Sequence, residues 1–125
     1  MGEARILKPL EFVGSSRENL QEFPDDVKQD IGYALFEAQQ GRKSSAAKPL
    51  KGFGGAGVLE VAERFDGATY RAVYTVQFAK TVYVLHCFQK KSKSGIKTPQ
   101  QEIGLIKRRL KAAEEAYQAT YGRGA

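Results

Sequence analysis

Three runs rich in β-branched and aromatic residues, 58–65, 69–78 and 81–88, follow one another so closely that they constrain the fold more than anything else in this chain. Asp66-Gly67 separates the first two, and this pair suits the tight turn of a hairpin. Ala79-Lys80 reads as an equally tight link between the second and third. Strands joined by short turns pair antiparallel, so the three runs predict a meander.

Helical patterns flank this block. Pro24-Asp25-Asp26 is a good helix start, because proline suits the first turn and acids suit its positive end. Val27, Ile31, Ala34, Leu35 and Ala38 then recur at helical spacing and Gly41 supplies a stop, predicting a helix over about 25–40. Near the other end, Thr98-Pro99-Gln100-Gln101 reads as a capping box, with Thr98 as the cap. Ile103, Ile106, Leu110, Ala113 and Tyr117 mark the buried stripe that follows, and residues 120–125 read as a frayed tail. Residues 7–13 alternate roughly and predict a first strand, at an edge because of Pro9. Gly14-Ser15-Ser16 is a turn in which either serine caps a short helix ending near Phe23. The stretch 41–57, rich in Gly, Lys and Ser, reads as a loop. The order of strand, helices, loop, three strands and helix segregates the element types. The expected class is therefore α+β, a small antiparallel or mixed curved sheet flanked by two N-terminal helices and one C-terminal helix. The chain of 125 residues, without repeats or a long linker, fits one domain over 1–125.

Several function classes are excluded by composition. A single cysteine, Cys87, rules out a disulfide framework, and a single histidine, His86, rules out a His-based metal site. Asp25-Asp26 are better explained by the helix dipole than as metal ligands, so neither metal nor cofactor is expected. No apolar run approaches the roughly 20 residues of a membrane span, and residues 1–13 lack a signal-peptide core, which predicts a cytoplasmic protein. Gly52, Gly54 and Gly57 match G-x-G-x-x-G, but a Lys-rich loop precedes them and a strand follows, the wrong context for a dinucleotide site.

What remains is cationic. Formal net charge is +6, which favours phosphate-rich partners or acidic proteins. Arg71 stands inside a strand, between Tyr70 and Tyr74, where it either pairs with an acid such as Glu60 or faces a groove. Lys90, Lys91, Lys93 and Lys97 follow the third strand, and Lys107, Arg108, Arg109 and Lys111 decorate the last helix. A lysine run by itself is usually a solvated face; these runs together with Arg71 fit a phosphate-binding surface. His86 reads as a hydrogen-bonded strand residue, with proton transfer as the sharper alternative. It and Cys87, being adjacent strand residues, point to opposite faces.

Five segments in order resemble the phage-derived HigB-like branch of the RelE/ParE toxin superfamily. They are Lys48-Pro49-Leu50-Lys51-Gly52-Phe53, Val58-Leu59-Glu60-Val61, Tyr70-Arg71-Ala72-Val73-Tyr74, the stretch from Leu85-His86-Cys87-Phe88 to Lys90-Lys91, and Lys97-Thr98-Pro99 with the residues to Ile103. The resemblance spans about residues 7–115. It implies a type II toxin that is a ribosome-dependent, metal-independent mRNA endoribonuclease, held in check by a cognate antitoxin, a small helix-turn-helix protein. It assigns Arg71 to the scissile phosphate, and Lys90 and Lys91 to the pentacovalent phosphate and leaving oxygen. Lys51, Lys93, Lys97 and Tyr70 become RNA contacts. Glu60 and Ala62 stand where RelE carries lysines, and Tyr117 and Tyr121 are the candidates for its C-terminal tyrosine. Two competing readings are a ParE-like toxin that inhibits a protein target without nucleolysis, and a plain basic RNA-binding domain.

Overall fold

The computed structural model describes residues 7–90 and 98–122. Its elements run β1 (Leu10–Phe12), α1 (Ser16–Gln21), α2 (Asp25–Gln39), β2 (Ala47–Pro49), β3 (Val58–Phe65), β4 (Ala68–Thr75), β5 (Val82–Lys90) and α3 (Gln100–Tyr121). The strands form one mixed sheet in the order β1-β5-β4-β3-β2. β3, β4 and β5 make the expected antiparallel meander, and β1 joins β5 in parallel, Leu10 opposite Val82. The Asp66-Gly67 turn takes φ values of 51° and 82°, the left-handed pair that a two-residue hairpin needs and that a bulky residue resists.

Both faces of the sheet are covered. Val27, Ile31, Ala34, Leu35 and Ala38 of α2 pack on Leu59, Val61, Ala72 and Tyr74. On the other face Ile106, Ala113 and Tyr117 of α3 pack on Val58, Val73, Tyr83 and Leu85. Double covering explains why β4 and β5 lack polar alternation, since over most of their length, up to Phe88, neither side of them meets water. It also sends His86 toward α3 and Cys87 into the α2-side core, where burial pushes the thiol up to about 12.

Five local expectations are corrected. The strand expected over 7–13 shortens to Leu10–Phe12 because the Lys8 amide donates to the Gln39 carbonyl at 2.9 Å, leaving the sheet. The loop expected over 41–57 contains β2, whose Lys48 pairs with Glu60 and Pro49 with Leu59. As an outermost strand it loses little by a proline that has no N–H, and so short a polar piece carries no period-2 signal. The β4–β5 link spans 76–81, not 79–80 alone: the Val76 amide turns to the Gly57 carbonyl, and Phe78 packs edge-to-face on Tyr83. Among the described residues no serine or threonine caps a helix by its side chain. Ser15 donates to Asn19 Oδ1, Ser16 to the Val84 carbonyl and Thr98 to Glu60 Oε2, while Pro99 occupies the cap of α3. Finally, α3 continues through Thr120 to Tyr121, where fraying was expected, because Tyr121 packs on Tyr117 and its hydroxyl meets that of Thr81.

Candidate nucleic-acid interface

Alternation along β4 sends Thr69, Arg71 and Val73 to the α3 side, and strand pairing extends each into a row. Glu60, Val73 and His86 form one row, with Lys48 of β2 beside Glu60. Ala62, Arg71 and Phe88 form the next. Arg64, Thr69 and Lys90 form the last, toward the end of the sheet. The N-terminal end of α3 lies over the first row, where Thr98 bonds Glu60 and Glu102 bonds His86.

The structure decides between the alternatives for Arg71. It is 3% exposed, and its Nη1 lies 3.0 Å from Glu60 Oε1, in a pair that the Thr98 hydroxyl completes at 2.8 Å on Oε2. Arg71 is thus a buried ion-pair member next to Phe88, itself 8% exposed. Arg64 is exposed and Lys90 half-buried in the row beyond. Lys51 lines a groove of about 370 Å³ with Lys48, Glu60, Thr98 and Gln100, on the same side. Tyr70 is not part of this face: it projects to the α2 side, edge-to-face on Phe23 at 4.9 Å. Lys91, Lys93 and Lys97 lie outside the described residues.

His86 sits in a network that links three elements. Arg109 Nη1 faces its Nδ1 at 3.5 Å, so Nδ1 accepts, and the ring proton sits on Nε2, which donates to Glu102 Oε1 at 2.5 Å. Burial lowers the His86 pKa below its usual 6.5, against the opposing pull of Glu102, so the ring is neutral near pH 7. Phe88 stacks on it at 4.7 Å. Arg109 also donates to the Leu85 carbonyl at 2.9 Å and reaches the Ser15 hydroxyl at 3.4 Å. The sequence reading placed Arg109 in the cationic run of the last helix, as part of a phosphate-binding surface, and passed over Arg64 and Glu102. The available signal was spacing: Arg109 follows Ile106 by three residues on a helix whose buried stripe runs through Ile106 and Ala113. Among the described residues no group of three or more His, Cys, Asp or Glu side chains comes together as metal ligands.

A mixed five-stranded sheet with two helices on one face and one on the other is a fold of the RelE type. The chain belongs to the family described as Phage derived protein Gp49-like (DUF891), whose model matches residues 18–111. Among solved structures it is similar to an arginine-to-alanine mutant of the E. coli toxin RelE in the free state, with a TM-score of 0.54 and 18% identity over 85% of this chain and 97% of that one. It is also similar to a chain of the Mycobacterium tuberculosis RelBE2 toxin-antitoxin complex, with a TM-score of 0.45 and 20% identity over 73% of this chain and 100% of that one. No curated protein matches it significantly in sequence. The superfamily resemblance read from the sequence therefore agrees with both the family match and the fold.

Proposed function

We propose that this protein is the toxin of a type II toxin-antitoxin pair, of the HigB-like branch, that cleaves mRNA on the ribosome in the cytoplasm. One observation carries the reading: Arg64 and Lys90 form an accessible cationic row beside Arg71 and Phe88, on one face of a RelE-type sheet. In the proposed reaction the ribose 2′-oxygen attacks the adjacent phosphorus and the bond to the 5′-oxygen breaks. A 2′,3′-cyclic phosphate and a 5′-hydroxyl result. A base must take the 2′ proton, an acid must protonate the leaving oxygen, and cations must offset charge on the phosphate. Lys90 and Lys91 supply charge and a proton to the leaving oxygen. Arg71 is held by Glu60, so it reaches a phosphate only by leaving that pair, whereas Arg64 and Lys90 need no such movement. Lys51, Lys93 and Lys97 extend the phosphate track. An antitoxin with an acidic segment covers the same face by charge complementarity.

The test is single-turnover cleavage on programmed ribosomes with mapping of mRNA 5′ ends. Lys90→Ala and Arg71→Ala are expected to slow cleavage on the order of 100- to 1000-fold, the cost of losing a transition-state donor. A folded Arg71→Ala protein with near-native cleavage ends the assignment of that residue. The second reading, a toxin that inhibits a protein target without nucleolysis, is favoured by the burial and neutralisation of Arg71. Growth arrest by the wild type without new mRNA 5′ ends would select it.

A further inference from the structure

The opposite side of the molecule has the opposite sign. Asp26, Asp30, Tyr33 and Glu37 recur at helical spacing along α2, and Glu63 of β3 points to the same side of the sheet. Asp30, Tyr33, Glu37 and Glu63 line a groove of about 600 Å³ that the Ser44 and Ser45 turn closes. Tyr33 is 62% exposed and Phe36 40% exposed, two aromatic rings on a helix face that the fold leaves uncovered. Among the described residues no Lys or Arg comes within ion-pair distance of Asp30, Glu37 or Glu63; the ion pairs are Lys28–Asp25, Arg71–Glu60 and His86–Glu102. In a chain of net charge +6, these carboxylates crowd one another instead of the surplus cations.

The strain of that crowding is visible. Burial, a hydrogen bond with Asp30, and the charges of Asp30 and Asp26 raise Glu63 to about 7. On the same side of the sheet the Tyr74 hydroxyl is fully buried, with no hydrogen-bond partner among the described residues, and burial and Glu37 push it up to about 12. Glu63, which lines the groove, would be relieved by a positive charge arriving from outside.

We propose that this face of α2 docks a lysine- or arginine-rich segment of a partner protein, with the Tyr33 ring against the cation and Asp30, Glu37 and Glu63 pairing with it. An electron-rich ring next to carboxylates is the chemistry that recognises such side chains. A small cation is a poorer occupant, because these carboxylates do not converge as a ligand set. The groove lies across the sheet from the Arg64–Lys90 row, so a partner here leaves the proposed RNA face open.

Binding has a protonic signature. At pH 7 Glu63 is about half protonated, and a cation beside it lowers its pKa, so docking releases about half a proton. The charged and titratable groups that face it are Asp26, Asp30, Tyr33 and Glu37 from α2 and its registered neighbour Tyr70 from β4.

The full chain, isotopically labelled, is titrated with a hexa-arginine peptide at physiological salt, with hexaglutamate as control, and amide shifts are followed by NMR. Calorimetry in two buffers of different ionisation enthalpy measures the proton release. The expected result is shifts confined to 26–37, 44–46 and 61–63, and affinity at least about tenfold lower for Asp30→Asn and for Tyr33→Ala, about 1.4 kcal/mol or more in each. Proton release disappears in Glu63→Gln. Tyr33→Ala removes an exposed ring, so it keeps the fold, which melting curves verify. Absence of binding, shifts mainly elsewhere, or undiminished affinity of Tyr33→Ala overturns the proposal. So does concentration-dependent self-association through this face, which would make a second copy the occupant.

Discussion

Arg71 and Glu60 form a pair worth little as a pair and much as a liability when halved. Removing one partner of a buried ion pair leaves the other charge stranded, at a cost of about 3–5 kcal/mol. Arg71→Ala is expected to fall in this range and Glu60→Gln toward its lower end, since the Glu60 side chain is 14% exposed. Replacing both with apolar residues should cost less than the sum, which denaturant unfolding of the double-mutant cycle measures. Additive costs would mean that the two side chains do not depend on each other. His86 adds a pH dependence whose sign follows from burial. Its folded pKa lies below 6.5, so between the two values the unfolded chain binds the extra proton. Stability is then full above pH 6.5 and declines as pH falls through that value toward the folded pKa. Glu63 acts in the opposite sense: raised to about 7, its contribution is present below about 4.5 and is lost as pH rises through 7. Melting temperatures across this range should therefore show His86→Gln removing a loss on the acid side and Glu63→Gln removing a loss on the neutral side. Identical profiles for wild type and His86→Gln would mean that the ring is not buried neutral.

At the scale of elements, α3 is fastened by more than its apolar stripe. Arg109 reaches across to β5 and to the turn before α1, and its guanidinium passes directly over Gly14, which has φ +60°. A Cβ there would lie 2.7 Å from Arg109 Cζ. Gly14→Ala therefore carries two penalties, a left-handed backbone worth about 1–3 kcal/mol in strain and a collision with the latch. Arg109→Ala removes the collision and leaves the strain. The expected outcome is that Gly14→Ala costs clearly less in the Arg109→Ala background than in the wild type. Equal costs in the two backgrounds would show that Arg109 does not rest on this turn. Sequence periodicity located α3 and its stripe well, but no pattern along the chain announces that one of four clustered cations turns inward. That choice depends on where the Leu85 carbonyl and Ser15 arrive, 24 and 94 residues away.

Among the described residues the charges separate, with the Arg64–Lys90 row at the end of the α3 side and the carboxylates Asp30, Glu37 and Glu63, without a Lys or Arg partner, on the α2 side. RNA is therefore expected to approach from one side only. Each phosphate contact on a single strand steepens the dependence of log K on log salt by about 0.7. Lys90→Ala should flatten the slope by about that amount in anisotropy titrations with single-stranded RNA. Lys28→Ala, which removes a cation on α2 paired with Asp25, should leave it unchanged. A slope equally sensitive to Lys28 would mean that attraction follows net charge and not the face. Among the described residues no helix is long and apolar enough to cross a membrane.

Local regularities along the chain were enough to determine the meander, the two long helices and their buried stripes, because a period of 2 or 3.6 and an Asp-Gly turn are written in neighbouring residues. The superfamily was legible for the same reason, as an ordered set of short segments. The sequence also narrowed Arg71 to a pair or a groove, since a guanidinium inside a strand has few other fates. Only the tertiary structure chose the pair. Whether Arg71 meets Glu60 or water depends on the β3–β4 register and on Thr98 arriving from a distant helix start. The same dependence on distant partners put Tyr70 on the far face, made a strand of Ala47–Pro49 and joined His86 to Glu102 and Arg109. Hydrogen bonds and ion pairs between residues far apart in the chain leave no periodicity in it, because their energy depends on distances that exist only once the elements have packed.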